Sequence, residues 1–194
     1  MGDVYLSLSM SLDGYVAGPG DDVEALHRWL FDSDSPSPHG NGLCLSEPSR
    51  ALIDETLDAT GATVAGRRTY EVSRGWGGQT PFPMPYFIVS HDVSEDMARE
   101  GAAFTFVTDG VEAAIARGRA AAGDKKVSVM GADVPQQAIR AGLLDEIQLH
   151  LIPVLIGAGK GLFDHLGTEP IELERTRVVE APEGVTHLRF RIRR

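Results

Sequence analysis

The stretch over residues 127–163, VSVMGADVPQQAIRAGLLDEIQLHLIPVLIGAGKGLF, restricts the fold of this chain more than any other. It reads as a short apolar strand at 127–130, a turn at Gly131 and Ala132, and a helix closed by Gly142. A longer strand at 145–156 follows, and then a loop with Gly157, Gly159 and Gly161. Strand, helix and strand in succession make a βαβ unit, the connection that parallel strands require. Glycine directly after a strand lets a ligand approach the backbone, and a helix N-terminus offers unpaired N–H groups to an anion. Glycines also simply make turns. Which role applies depends on what the remaining strand ends carry.

With 194 residues the chain is long enough for one sizeable core and short for two, so a single domain over 1–194 is expected. A formal charge of -10 argues against a general nucleic-acid surface. An anionic ligand must then be met locally, which makes clustered arginines informative. Cys44 is the only cysteine, so an internal disulfide and a cysteine-built zinc site are both ruled out. No apolar run approaches the roughly 18 residues of a membrane span. The start, MGDVYLSLSM, lacks the basic and apolar pattern of a secretory leader, and the expected location is the cytoplasm.

Residues 4–10 alternate Val4, Leu6, Leu8 and Met10 against Tyr5, Ser7 and Ser9, the period of a strand. Asp13-Gly14 then turns the chain, with Asp13 either closing an Asx turn or facing a substrate pocket, and Gly18-Pro19-Gly20 breaks it again. Asp22 can cap a short helix through Phe31. The run DSDSPSPHGNG at 32–42 is expected to be a mobile surface loop of the kind that forms lids, with His39 solvated in it. Ser46 caps a helix at 47–60 that Gly61 ends. Asp54, Glu55 and Asp58 fall on its solvated side, with Asp54 retained beside Asp13 as a candidate catalytic carboxylate.

Strands at 62–65, 86–90 and 104–107 each end in groups suited to a ligand. The first runs into Gly66-Arg67-Arg68-Thr69 and a new helix. Glycine allows close approach there, guanidinium forks bind phosphate oxygens, and the helix N-terminus adds partial positive charge. The second strand ends at Ser90 and His91, and the third at Thr108, ahead of a helix at 111–122. Asp133 and Gln136 have the spacing of a capping box, which leaves the backbone N–H groups of Gly131 and Ala132 as the ligand contacts. Pro153 points to an edge or a bulge in the strand that contains it. Residues 171–179 and 185–193 flank Pro182-Glu183-Gly184 and read as an antiparallel hairpin.

The architecture that follows is α/β, a mixed sheet that is mostly parallel with a C-terminal antiparallel hairpin and helices on both faces. The polar strand ends at 66–69, 90–91, 108–109 and 131–132 then line one edge, where open α/β sheets bind ligands. Several familiar motifs fail. GAGKG lacks P-loop spacing because Val154 stands where the first glycine would fall, and G-x-G-x-x-G fails at Leu162. Neither a G-x-S-x-G elbow nor an H-E-x-x-H metal pair occurs, and no metal is expected.

Taken in order, SLSMSLDGYVAG, TVAGRRTYEV, YFIVSH and VMGADVPQQAIRAGLLDEIQLHLIPVLIGAGKGLF resemble the dihydrofolate reductase superfamily. Within it they are similar to the C-terminal reductase domain of the bifunctional riboflavin biosynthesis deaminase/reductase. The resemblance covers nearly the whole chain, least so at 19–45. It implies a sheet of about eight strands, NADPH as hydride donor, and a small heterocyclic substrate, a phosphoribosylaminopyrimidine or a pterin-like ring. Carried over, Gly66, Arg67, Arg68 and Thr69 meet the cofactor's phosphates, and arginine there favours NADPH over NADH. Ser90, His91 and Thr108 fall at the adenosine end. Gly131, Ala132 and Val134 form the turn under the pyrophosphate. Val16, Ala17 and Gly18, with Ile156, Gly157, Gly159 and Gly161, frame the nicotinamide and the substrate. The deaminase half needs an H-x-E and P-C-x-x-C zinc motif that a chain with one cysteine cannot supply. An alternative of another class is a non-catalytic NADPH- or metabolite-binding protein of the same fold, a homodimer through its long strand or hairpin.

Overall fold

The computed structural model describes residues 2–33, 35–39, 42–95, 97 and 103–194. Its parallel strands are β1 (Val4–Ser11), β3 (Thr60–Gly66), β4 (Tyr86–Val89), β5 (Thr105–Val107), β6 (Lys126–Met130) and β7 (Glu146–Ile152). With the hairpin of β9 (Leu173–Glu180) and β10 (Thr186–Ile192) they form an eight-stranded sheet in the order β5-β4-β3-β6-β1-β7-β10-β9. Pairing is parallel from β5 to β7, and β10 is antiparallel to both β7 and β9. A separate ribbon pairs β2 (Tyr15–Ala17) with β8 (Lys160–Gly161). The eight strands, the parallel majority and the terminal hairpin are those of the dihydrofolate reductase-like fold. No helix among the described residues is long and apolar enough to cross a membrane.

The βαβ unit at the C-terminal half is not a pair of neighbours. β1 lies between β6 and β7, with Val4 opposite Val127 on one side and Tyr5 opposite Glu146 on the other. Both of its edges are therefore paired, and helices cover both of its faces. Val4 and Leu6 pack with Val64, Val127, Val129 and Ile147 under α4 (Val111–Ala122) and α5 (Asp133–Arg140). Burying each such side chain stabilises the fold by about 1.5–3 kcal/mol. Ser9 and Ser11, which alternation alone would leave in water, are buried on the opposite face. That face is closed by α1 (Glu24–His27) and the 3-10 turn Arg28–Leu30, by α2 (Glu47–Asp58), and by α3 (Arg67–Val72).

Several local expectations are corrected by partners distant in sequence. β7 ends at Ile152, short of the expected 156. Pro153 stops it instead of marking an edge, and the backbone turns so that Val154 accepts the Leu12 N–H at 2.9 Å. The helix begun at Ser46 ends at Asp58, and the Ser46 hydroxyl donates to Glu183 Oε1 (2.9 Å) with no cap bond to the helix. Gly61 is not a helix cap but lies within β3, where a Cβ would stand 2.8 Å from Ala122 Cα. Asp133 makes no capping bond either; it accepts from Gln137 Nε2 at 2.8 Å. Buried Gln136 donates to the carbonyls of Gly161 (3.0 Å) and Leu162 (3.2 Å), tying α5 to the second glycine loop. The helix expected through Phe31 is one α turn and one 3-10 turn, with Asp22 Oδ1 accepting the Glu24 N–H. Of the run 32–42 expected to be mobile, residues 34, 40 and 41 lie outside the described residues; Pro36 bridges Cys44 just past the run, where Leu43 and Leu45 are buried with Trp29.

Because Gly61 sets how closely α4 approaches β3, Gly61→Ala is expected to cost about 1–3 kcal/mol through overpacking. A urea titration reads this as a lower midpoint, and an unchanged midpoint would show that α4 can step back without loss.

Candidate functional site

Parallel strands end on the same side, so their order fixes the order of the groups at that edge. Thr108 follows β5, Ser90 and His91 follow β4, Gly66 ends β3, and Gly131 follows β6. At ~4.8 Å per strand the row spans roughly 15 Å, the scale of an extended dinucleotide half. Gly131 has φ +86, and a Cβ on it would stand 2.6 Å from Thr69 Oγ1. The GRRT turn and the glycine turn are thus in direct contact, and only glycine leaves the Thr69 hydroxyl its place. Val134, on the first turn of α5, lies against Gly66 at 3.4 Å from a notional Cβ. Ser90 is buried, and its hydroxyl donates to the Asp92 carbonyl, whereas His91 and Thr108 are exposed.

Neither arginine is bare. Arg67 donates to Glu71 Oε1 (2.7 Å) and to Asp92, and Arg68 donates to Asp21. The last pair joins the arginine turn to the segment that follows Val16, Ala17 and Gly18.

Those three residues face the second glycine loop. Tyr15 pairs with Gly161 and Ala17 with Lys160, and a Cβ on Gly159 would fall 2.1 Å from the Ala17 carbonyl oxygen. Asp13 holds the two loops together. Its carboxylate accepts from the Ser11 hydroxyl (2.6 Å) and from the N–H groups of Ile156 (3.1 Å) and Gly157 (2.7 Å). The Ser11 hydroxyl first, and then the two backbone donors, hold its carboxyl below the usual carboxylate range. Asp13 in this arrangement is an ionised anchor. Asp54 sits on α2, where it accepts from the Ser37 hydroxyl (2.8 Å) and Arg50 (3.5 Å). His39, expected in solvent, is turned inward with an 18% exposed side chain, its Nε2 3.9 Å from Asp54 and 3.6 Å from Asp58.

On the sheet face beneath these loops lies a buried polar chain that sequence reading missed. His150 Nδ1 is 2.7 Å from His187 Nδ1, His150 Nε2 is 3.0 Å from Ser7 Oγ, and His187 Nε2 is 3.0 Å from Ser49 Oγ. Ser49 gives its single proton to Glu183 Oε1 at 2.6 Å, so His187 Nε2 must donate to Ser49. His187 Nδ1 then accepts from His150 Nδ1–H, and His150 Nε2 accepts from the Ser7 hydroxyl. Trp29 packs on both imidazoles, with ring centroids 5.0 and 5.3 Å away, and donates its indole N–H to Ser9. Burial pushes His187 down to about 4, with Glu183 opposing; burial and then the neighbouring His187 push His150 well below its ordinary value. The one available signal was Ser7 and Ser9 sharing the non-apolar face of β1 with histidines in two later strands.

The RibD C-terminal domain model matches residues 3–187. The chain belongs to the RibD C-terminal domain family. Every candidate residue of the edge falls within the matched span. Solved structures agree in fold. A protein of Shewanella sp. PV-4 assigned to riboflavin biosynthesis superposes with a TM-score of 0.75 at 21% identity, over 100% of both chains. A pyrimidine reductase-like protein of Corynebacterium diphtheriae gives 0.65 at 15% identity, over 100% of this chain and 92% of that one. The diaminohydroxyphosphoribosylaminopyrimidine deaminase/5-amino-6-(5-phosphoribosylamino)uracil reductase of Thermotoga maritima gives 0.67 at 14% identity, over 99% of this chain and 57% of that one. No curated protein matches the chain in sequence. In this RibD C-terminal domain Gly66, Thr69, Gly131 and Val134 meet at the sheet edge, whereas Asp54 lies apart on α2.

At neutral pH, nitrogen-15 NMR is expected to show two neutral imidazoles, protonated on Nδ1 in His150 and on Nε2 in His187. The opposite tautomers would break the proton direction deduced above. Both rings take up protons more readily in the unfolded chain, so the stability they contribute is complete above pH 6.5 and declines as pH falls toward 4. For His187 the lowering to about 4 amounts to roughly 3 kcal/mol when fully expressed. His187→Gln is expected to flatten the decline in urea midpoint between pH 7 and pH 4.5.

Proposed function

We propose that this chain is an NADPH-dependent reductase that passes a hydride to a small heterocyclic acceptor of the pyrimidine or pterin class. The observation that carries the reading is the contact between the GRRT turn and the Gly131 turn at the C-terminal edge of the sheet. Membership of the RibD C-terminal domain family supports a reductase of the riboflavin-biosynthesis type. The pyrimidine class rests on the Corynebacterium and Thermotoga proteins, whose names specify pyrimidine-type and phosphoribosylaminouracil reduction.

The residues fit the cofactor. Arg67 and Arg68 supply guanidinium forks for phosphate, and Arg68 is 66% exposed, open to a ligand. Gly131 and Ala132 lead into α5, whose first-turn N–H groups have no partner within the helix and suit a pyrophosphate. Ser90 and Thr108 lie at the adenosine end. Val16, Ala17 and Gly18 with Ile156, Gly157, Gly159 and Gly161 frame the nicotinamide, and Asp13 keeps both loops in one geometry. The bound cofactor supplies the hydride, and the chain's part is to bind, orient and exclude water.

A second reading, binding of NADPH or a related metabolite without turnover, has one observation in its favour. Asp13 and Asp54 both spend their oxygens on protein donors, which leaves neither ready as a proton donor. NADPH oxidation followed at 340 nm with 5-amino-6-(5-phosphoribosylamino)uracil or dihydrofolate separates the two, since turnover supports reduction and binding alone supports the second reading.

Arg67→Ala is expected to raise the Kd for NADPH about tenfold or more, the worth of a charged hydrogen bond of ~1.5–3 kcal/mol. Gly131→Val should abolish binding while the far-ultraviolet circular dichroism is kept, because the side chain displaces Thr69. Unchanged calorimetric affinity in both variants would remove the phosphate assignment.

A further inference from the structure

Toward the C-terminal hairpin the apolar face of the sheet runs out from under its helices. α4 packs on β3, β4 and β6, and α5 on β3 and β6. The same face continues across β7 and β10 through Leu149, Leu188, Phe190 and Ile192. Directly opposed residues of neighbouring strands share a face. Leu188 is opposite Val178, Phe190 opposite Arg175, Ile192 opposite Leu173 and Thr186 opposite Glu180, so β9 brings those four side chains onto it. Leu188, Phe190 and Ile192 are only half-buried, and Leu173 and Val178 are 41% and 45% exposed. On the other face of the hairpin Arg177 and Arg189 hold Glu55 of α2. Arg175 and Glu180 differ from them: among the described residues neither side chain has a hydrogen bond or an ion pair. These two exposed charges stand on either side of Val178 along the strand.

We propose that this face is the interface of a twofold dimer, covered by the hairpin of a second copy of the chain. A contiguous exposed apolar patch marks an interaction site, and stacked sheets cover each other's apolar faces at about 10 Å. The two free charges select the occupant and its orientation. A twofold axis between the sheets and across the strands lays β9 over β9 with its direction reversed. Arg175 of each copy then stands over Glu180 of the other, and the Val178 side chains meet between the two pairs. An axis along the strands would set arginine over arginine and glutamate over glutamate, an arrangement that like charges suppress. Edge-to-edge addition of β9 is disfavoured for the same reason. At the centre of the strand it opposes Arg175 to itself, Arg175 to Arg177, or Arg177 to itself, and like charges directly opposite are destabilising. The edge of β9 thus rejects its own copy, and its apolar face accepts one. The interface lies on the face away from His150 and His187, and three strands separate β10 from β3 and the GRRT turn. Assembly by this route is independent of the reductase reading.

Sedimentation velocity of the full chain at concentrations up to about 0.1 mM is expected to show a species of twice 20.9 kDa. R175E and E180R should each weaken the dimer about tenfold or more, because the axis repeats every reversed charge. R175E/E180R restores both pairs and should return the dissociation constant to within about threefold of wild type. Val178→Asp is expected to leave monomers, with the far-ultraviolet circular dichroism kept. A wild type that stays monomeric at about 0.1 mM, a dimer indifferent to V178D, or a double variant no tighter than either single one would overturn the proposal. If V178D melts well below wild type, Val178→Thr, which keeps a branched side chain suited to a strand, takes its place under the same criteria.

Discussion

β1 pairs in parallel with β7 from Tyr5 opposite Glu146 to Ser11 opposite Ile152, and with β6 from Val4 opposite Val127. The rest of the molecule depends on this double pairing. It puts β1 in the middle of the sheet, where helices cover both its faces, and it lets α5 cross over β1 to join β6 to β7. It also places the ends of β1 and β7 side by side, so that Leu12 and Val154 bond directly and Asp13 can reach Ile156 and Gly157. Without that adjacency the two glycine loops would leave different parts of the edge and could not frame one ligand.

Electrostatics at the edge follow from the chain's overall acidity. A protein with a formal charge of -10 that is to hold a polyanion has to place its cations locally. Arg67 and Arg68 are such a local pair of cations, and Glu71, Asp92 and Asp21 face them. The arginines are thereby fixed in position at the cost of partial neutralisation. Ion pairs on an exposed surface contribute little individually.

The opposite face of β1 works by different chemistry. Ser7, His150, His187, Ser49 and Glu183 form a chain in which each group has the proton that the next one needs. Buried polar groups are tolerable only when satisfied, and here satisfaction fixes both tautomers. Trp29 seals the chain from water. The lowered histidines make this face less stable in acid, whereas the arginines at the strand-end edge are partly exposed.

The local sequence was sufficient for whatever depends on neighbours along the chain. Alternating and apolar runs marked the strands, the order of strands and helices predicted a parallel majority, and glycine or arginine after a strand marked the edge. It failed where a residue's partner is remote. Gln136 looked like half of a capping box, but its bonds go to carbonyls 25 residues away. Gly61 looked like a helix terminator, but its meaning comes from Ala122 on α4. His150 and His187 carried no motif at all, because they meet across β7 and β10, 37 residues apart. The chain's periodicity and turn residues thus determined most of the strands and helices and their parallel majority. Only the tertiary structure decided that β1 separates β6 from β7, that the acids face the arginines, and that two histidines share one proton, since each depends on distances between segments that no local pattern encodes.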